Sequence, residues 1–129
     1  MRKSATPMPT DAELAILAVL WERGASTVRE VHEELRRSRP AGYTTTLKQM
    51  QVMFEKRLLE RDGSRRAHVY RPAIPEERTL RRIAGELLER VFGGSAEKLV
   101  MHALQAKKLS AGELGKIKRL IDEHEEGGR

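Results

Sequence analysis

The sequence predicts a mainly α-helical chain with one small β-hairpin, and three observations predict it. Thr10, Thr27 and Ser110 each stand three residues before a glutamate and just ahead of an apolar stripe of helical spacing, which is the signature of a capped helix start. Period-two alternation occurs in one place only, on either side of Gly63-Ser-Arg-Arg66, as in a hairpin with its tip. Beyond Pro72-Ala-Ile-Pro75 the apolar pattern is wholly helical.

Residues 1–9 contain two prolines and no periodic pattern, and read as a disordered tail. The Thr10 box opens a first helix over about 11–23, with Leu14, Leu17, Ala18 and Trp21 on one face and Gly24 as its stop. A second helix runs from the Thr27 box to about Arg37 with Val28, Val31 and Leu35 inward, and Ser38-Arg-Pro-Ala-Gly42 is a loop. A third spans about 44–57. At 100° per residue Tyr43, Leu47, Met50, Phe54 and Leu58 share one side, while Thr45, Lys48, Gln49, Val52 and Lys56 share the other. That second side reads as polar, small and uncrowded by acids. Leu58–Asp62 and Ala67–Arg71 are the hairpin strands.

The prolines of 72–75 mark a boundary, since they discourage both helix and ladder bonding. After it come a stripe of Leu80, Ile83, Ala84, Leu87, Leu88, Val91 and Phe92 closed by Gly93-Gly94, a short helix capped by Ser95 with Leu99, Val100, Ala103 and Leu104, and a last helix with Leu114, Ile117, Leu120 and Ile121. Three fully striped helices in so short a segment cannot bury their apolar faces alone. A second copy can cover them. The expected organisation is therefore a tail (1–9), a head (10–75) and a helical dimerisation domain (76–129) whose contact residues are Leu80, Ile83, Leu87, Val91, Leu99, Leu104, Leu114, Ile117, Leu120 and Ile121.

Composition narrows the function. With 129 residues, 39% hydrophobic and five aromatics, an ordinary α/β enzyme core is not expected. The absence of cysteine excludes a disulfide framework and thiol-based metal or redox centres. The four histidines show no ligand spacing and no glycine-rich loop follows a strand, so neither a metal, a cofactor nor catalysis is expected. No apolar run approaches a membrane span, and the start MRKSATPMP lacks a signal-peptide core; the expectation is a cytoplasmic protein without membrane insertion. The formal charge of +6 is unevenly spread: 14 basic against 9 acidic residues up to Pro75, then 11 against 10. Tyr43 to Pro72 alone holds Lys48, Lys56, Arg57, Arg61, Arg65, Arg66 and Arg71 against three acids.

Helix, helix, helix, hairpin is the order of a winged helix-turn-helix, in which the third helix enters the major groove of double-stranded DNA and the hairpin, or wing, reaches the flanking backbone. Thr44 and Thr45 at the third helix's start suit a phosphate, with the free amides there. Lys48 and Gln49 are long enough to reach guanine and adenine edges, and Val52 can meet a thymine methyl. Arg65, Arg66, His68 and Arg71 on the wing suit phosphate contact. Each has a plainer reading: Thr44 as an N-cap, Val52 as packing, the basic face as merely solvated. A protein-binding winged-helix module and a non-specific nucleoid-type DNA binder are the alternatives to a sequence-specific regulator.

Pro9-Thr-Asp-Ala-Glu-Leu-Ala-Ile-Leu-Ala-Val-Leu-Trp21, Thr27-Val-Arg-Glu-Val-His32, Gly42-Tyr-Thr-Thr-Thr-Leu-Lys-Gln-Met50, Glu55-Lys-Arg-Leu-Leu-Glu-Arg-Asp62 and Ala67-His-Val-Tyr-Arg-Pro72 resemble the successive signatures of the penicillinase repressor family of BlaI/MecI type. So do Val91-Phe-Gly-Gly-Ser95 and Leu109-Ser-Ala-Gly-Glu-Leu114. The resemblance spans about residues 9–122. It implies a dimeric winged-helix repressor on a palindromic operator, with recognition-helix contacts at Thr44, Thr45 and Lys48 and wing contacts at Arg65 and Arg66. It further implies a membrane sensor protease as partner, which in the best-known members leads to cleavage at an Asn-Phe bond. The corresponding stretch here, Val100-Met-His-Ala103, has no such pair. The copper-responsive branch of the family uses cysteine pairs that this chain lacks.

Overall fold

The computed structural model describes residues 6–64 and 66–127. Its elements are α1 (Asp11–Arg23), β1 (Ser26–Thr27), α2 (Val28–Leu35), α3 (Tyr43–Glu55), β2 (Leu59–Asp62), β3 (Val69–Pro72), α4 (Glu76–Arg90), α5 (Ala96–Ala106) and α6 (Ala111–Gly127). The fold is mainly helical with one small antiparallel sheet in the order β1-β3-β2: a winged helix followed by helices.

The capping boxes form. Thr10 Oγ1 accepts from the Glu13 amide at 3.2 Å while Glu13 Oε1 accepts from the Thr10 amide at 3.0 Å. Thr27 and Glu30 do the same at 3.2 and 2.9 Å, and Ser110 with Glu113 at 3.1 and 3.0 Å. Gly24 ends α1 at φ 91°, its amide donating to Leu20 O; this left-handed backbone favours glycine. Helix α2 stops at Leu35 rather than Arg37, because Arg37 and Ser38 bond three residues back to Glu34 O and Leu35 O, a tightening typical of a helix end.

The inward face of α1 differs from the expected one. Ile16, Leu17 and Leu20 are buried together with Glu13, whereas Leu14 and Trp21 are half-buried and Ala18 is exposed. Every residue from Leu14 to Trp21 is apolar, so the spacing alone cannot select a face. These side chains join Val28, Val31 and Leu35 of α2, Met50 and Met53 of α3, Leu58, Leu59 and Tyr70 in one core. The sheet also gains a member that alternation could not reveal: Ser26 and Thr27 pair with Tyr70 and Val69, and a two-residue strand has no period. In the wing, Leu59 faces Pro72 and Asp62 faces Val69; Ala67 and His68 lie outside β3.

Two compact units divide between Ile83 and Ala84, inside α4, whereas the prolines pointed to a boundary at Pro75. Thr6 to Pro9, expected in the tail with residues 1–5, which lie outside the described residues, belong to the first unit, where Pro9 is buried and Arg82 Nη1 donates to Thr6 O at 2.6 Å. In the second unit α5 is capped by Ser95, which accepts from the Lys98 amide at 3.1 Å, and Phe92 lies 5.9 Å from the His102 ring. Apolar side chains remain uncovered there: Val91 is 66% and Leu120 63% exposed, with Leu87, Leu104, Leu114 and Ile121 also open. Leu99 and Ile117 are half-buried, as is Ile83 of the first unit, where Leu80 is exposed.

Candidate nucleic-acid interface

Helix α3 presents the surface of interest. Thr46, Met50 and Met53 anchor it in the core. That orientation turns Thr44, Thr45, Lys48, Gln51, Val52 and Glu55 outward. Val52 is 43% exposed, so it is not consumed by packing. Gln49 is half-buried, whereas Gln51, which the sequence reading passed over, is open. Choosing between them requires knowing that Thr46 and Met53 point inward, and that tilts the buried arc towards Gln49. Glu55 adds one acid to this face: seven residues beyond Lys48, it returns to the same side two turns on.

The start of α3 is open. Its N-cap is Gly42, with no side-chain hydrogen bond. The start of α1, α2 and α6 is closed by a capping box, and that of α5 by Ser95. Thr44 is therefore not the N-cap; it stands in the first turn. Amides at this end have no side-chain acceptor, so they and the positive end of the helix dipole are available to an anion.

The exit of α3 fixes its direction. Arg57 adopts φ 69°, its amide bonds to Phe54 O at 3.1 Å and the Leu58 amide to Met53 O at 2.8 Å. This is a Schellman closure with arginine where glycine is usual. Lys56, at the C-cap, reaches across the unit to Glu13 Oε2 at 2.8 Å. Glu13 is 5% exposed; burial pushes its carboxyl up, but the Lys56 hydrogen bond and charge and the Thr10 contacts outweigh that and hold it below its ordinary value.

Pairing also thins the basic cluster. Lys56 is matched by Glu13, Arg71 by Glu60 at 3.0 Å, and Arg61 lies over the Phe54 ring at 4.1 Å. Lys48 and Arg66 have no acidic partner among the described residues. Arg65 lies outside the described residues. A cleft of about 330 Å³ runs between the start of α2, α3 and the wing, and brings Arg66 and His68 together with Arg29, Tyr43 and Gln51. Arg29 was absent from the expected site. It stacks over Tyr43 at 5.1 Å, and His32 meets the same ring edge-on at 5.8 Å, so α2 supplies a third basic wall. Tyr43, expected on the core side, is 38% exposed.

This arrangement, an uncapped helix start with lysine one turn in and a basic cleft beside it, has the chemistry that suits a polyanion. A family model described as penicillinase repressor matches residues 9–123. The chain belongs to the penicillinase repressor family. Members of this family are transcriptional repressors rather than enzymes. Among its relatives are the penicillinase repressor of Bacillus licheniformis, 25% identical over 118 residues and 92% of each chain, and the transcriptional regulator BlaI of Mycobacterium tuberculosis, 29% identical over 119 residues, 91% of this chain and 85% of the relative. No helix among the described residues is long and apolar enough to cross a membrane.

Proposed function

We propose that this repressor binds a palindromic operator as a homodimer in the cytoplasm, one winged helix per half-site, with α3 in the major groove. The observation that carries the reading is the uncapped start of α3 beside unpaired Lys48 and Arg66. Thr44 and Thr45 with the free amides take one phosphate; Lys48, Gln49 and Val52 read bases, joined by Gln51; Arg66 and His68, with Arg65 at the wing tip and Arg29 from α2, take the backbone entering the cleft. The uncovered apolar faces along α4 to α6 support the pairing of two copies, through Leu80, Ile83, Leu87, Val91, Leu99, Leu104, Leu114, Ile117, Leu120 and Ile121.

Selection of bound genomic fragments followed by footprinting tests the reading. Two protected half-sites about one helical turn apart, or a multiple, are expected. An asymmetric footprint from a single head overturns the dimeric operator. Absence of any bound fragment favours a protein-binding module, and binding that salt abolishes without sequence preference favours a nucleoid-type role.

Release by a membrane sensor protease rests on the family resemblance. The stretch from Val100 to Ala103 lies within α5 and is exposed but carries no Asn-Phe bond. Intact repressor persisting on cells' exposure to inducer, by immunoblot, would exclude that route.

A further inference from the structure

A second cleft, of about 250 Å³, lies in the first unit beneath the Thr6–Pro9 segment and is separate from the basic surface around α3. Pro9, Leu58 and Ile74 give it an apolar floor, and Arg78, Thr79 and Arg82 of α4 form one wall. Thr79 is only 8% exposed. Its amide bonds to Pro75 O at 3.2 Å, while its hydroxyl makes no hydrogen bond among the described residues and keeps some open surface at the cleft, so it is available to an occupant.

The two arginines sharpen the point. On the same helix Arg81 and Arg90 each have a glutamate one turn earlier, Glu77 at 3.9 Å and Glu86 at 3.5 Å. Arg78 and Arg82, also one turn apart, have each other instead, and neither has an acidic partner among the described residues. Like charges at this spacing repel. Arg82 uses one nitrogen on Thr6 O at 2.6 Å, which orients its guanidinium over the cleft and leaves further donors free.

We propose that this cleft binds a small monocarboxylate with an apolar body. The carboxylate sits on the guanidinium groups of Arg78 and Arg82 and accepts from Thr79 Oγ1; the hydrocarbon part covers Leu58, Ile74 and Pro9. A planar carboxylate suits arginine's forked donors. Phosphate would leave the apolar floor unused. The cleft is smaller than the ~300–1,000 Å³ typical of drug-sized ligands, which points to a single ring or short chain. Leu58 is also the residue whose amide closes α3, so an occupant touches the exit of that helix.

Isothermal titration of the full chain without DNA, using benzoate as the probe, tests this. Benzoate is expected to bind roughly tenfold or more tightly than acetate, because its ring buries against the floor, while benzylamine does not bind. Arg78→Gln and Arg82→Gln should each weaken benzoate roughly tenfold, and the near-isosteric Thr79→Val roughly fivefold, with unchanged circular dichroism. Arg82→Gln also removes the Thr6 contact, so Arg78→Gln is the cleaner variant. Acetate or inorganic phosphate binding as well as benzoate, or undiminished binding in the arginine variants, overturns the proposal. The measurement involves no DNA, so its failure leaves the operator reading standing, and an absent footprint leaves this one standing.

Discussion

Glu13 carries three duties at once: it completes the α1 cap, neutralises Lys56, and through Lys56 holds the far end of α3. Because its carboxyl is held below the ordinary value of 4.5, the stability it adds is fully present above that value and is lost as pH falls through the lower folded value. Glu13→Gln removes the charge but keeps the shape. Its urea midpoint should lie below wild type near neutrality and converge on it at low pH; a gap independent of pH would show that the carboxylate's charge is not what matters. Arg57 makes a complementary case. A left-handed backbone costs a side-chain-bearing residue about 1–2 kcal/mol, a cost that the hydrogen bonds of the Schellman closure offset. Arg57→Gly should change stability by less than about 1 kcal/mol, since relief of strain is balanced by glycine's unfolded-state entropy. A β-branched Arg57→Val should cost about 1–2 kcal/mol by the same urea measurement. At the reading surface Lys48→Ala should cost about 1–3 kcal/mol at the preferred operator and relax base preference, whereas Arg66→Ala should weaken all sequences alike and flatten the salt slope. Equal losses on specific and random DNA for both variants would remove that division of labour.

Helix α3 shows how far its sequence could be read and where it could not. The caps of α1, α2 and α6 were legible because a capping box is a local chemical statement, complete within four residues. The wing was legible from alternation and its Gly-Ser tip. The outer arc of α3 was legible at Thr45, Lys48 and Val52 but not at its edges, since Gln49 is half-buried and Gln51 and Glu55 are exposed through a phase fixed by tertiary packing. Arg29 was invisible for a related reason: its place in the site depends on the start of α2 standing across a cleft from the wing. The same element yields a test. Gly42 has ordinary negative φ and open space where a Cβ would go, so Gly42→Asp can supply the missing cap. It should raise stability by a few tenths of a kcal/mol while lowering DNA affinity, since its carboxylate occupies the amides and repels phosphate. A variant that gains stability and binds DNA unchanged would show that the helix start does not take a phosphate.

For the whole molecule, the two units differ in how they satisfy their apolar residues. The first closes a core from three helices and a sheet. In the second no large hydrophobic side chain of the described residues is fully buried, which one chain in water does not favour. Leu120→Glu puts a charge on one of the most open positions. In the proposed homodimer it should shift sedimentation from dimer to monomer and cut operator affinity sharply, because two linked heads gain effective concentration that one head lacks. Retention of the dimer would place the contact elsewhere.

The short β1 strand has a kinetic consequence. Ser26 and Thr27 are both the step into α2 and the partners of Tyr70 and Val69, so the base of the wing cannot open without loosening the start of α2. Amides of Val69 to Arg71 should therefore exchange with solvent deuterium on the slow timescale of the helical core, as one cooperative unit. Gly63, Ser64 and the residues from Arg66 to His68, beyond the paired strands, should exchange fast. A wing with a slow hinge and a quick tip can grip a backbone of variable path without disturbing the helix proposed to read the bases.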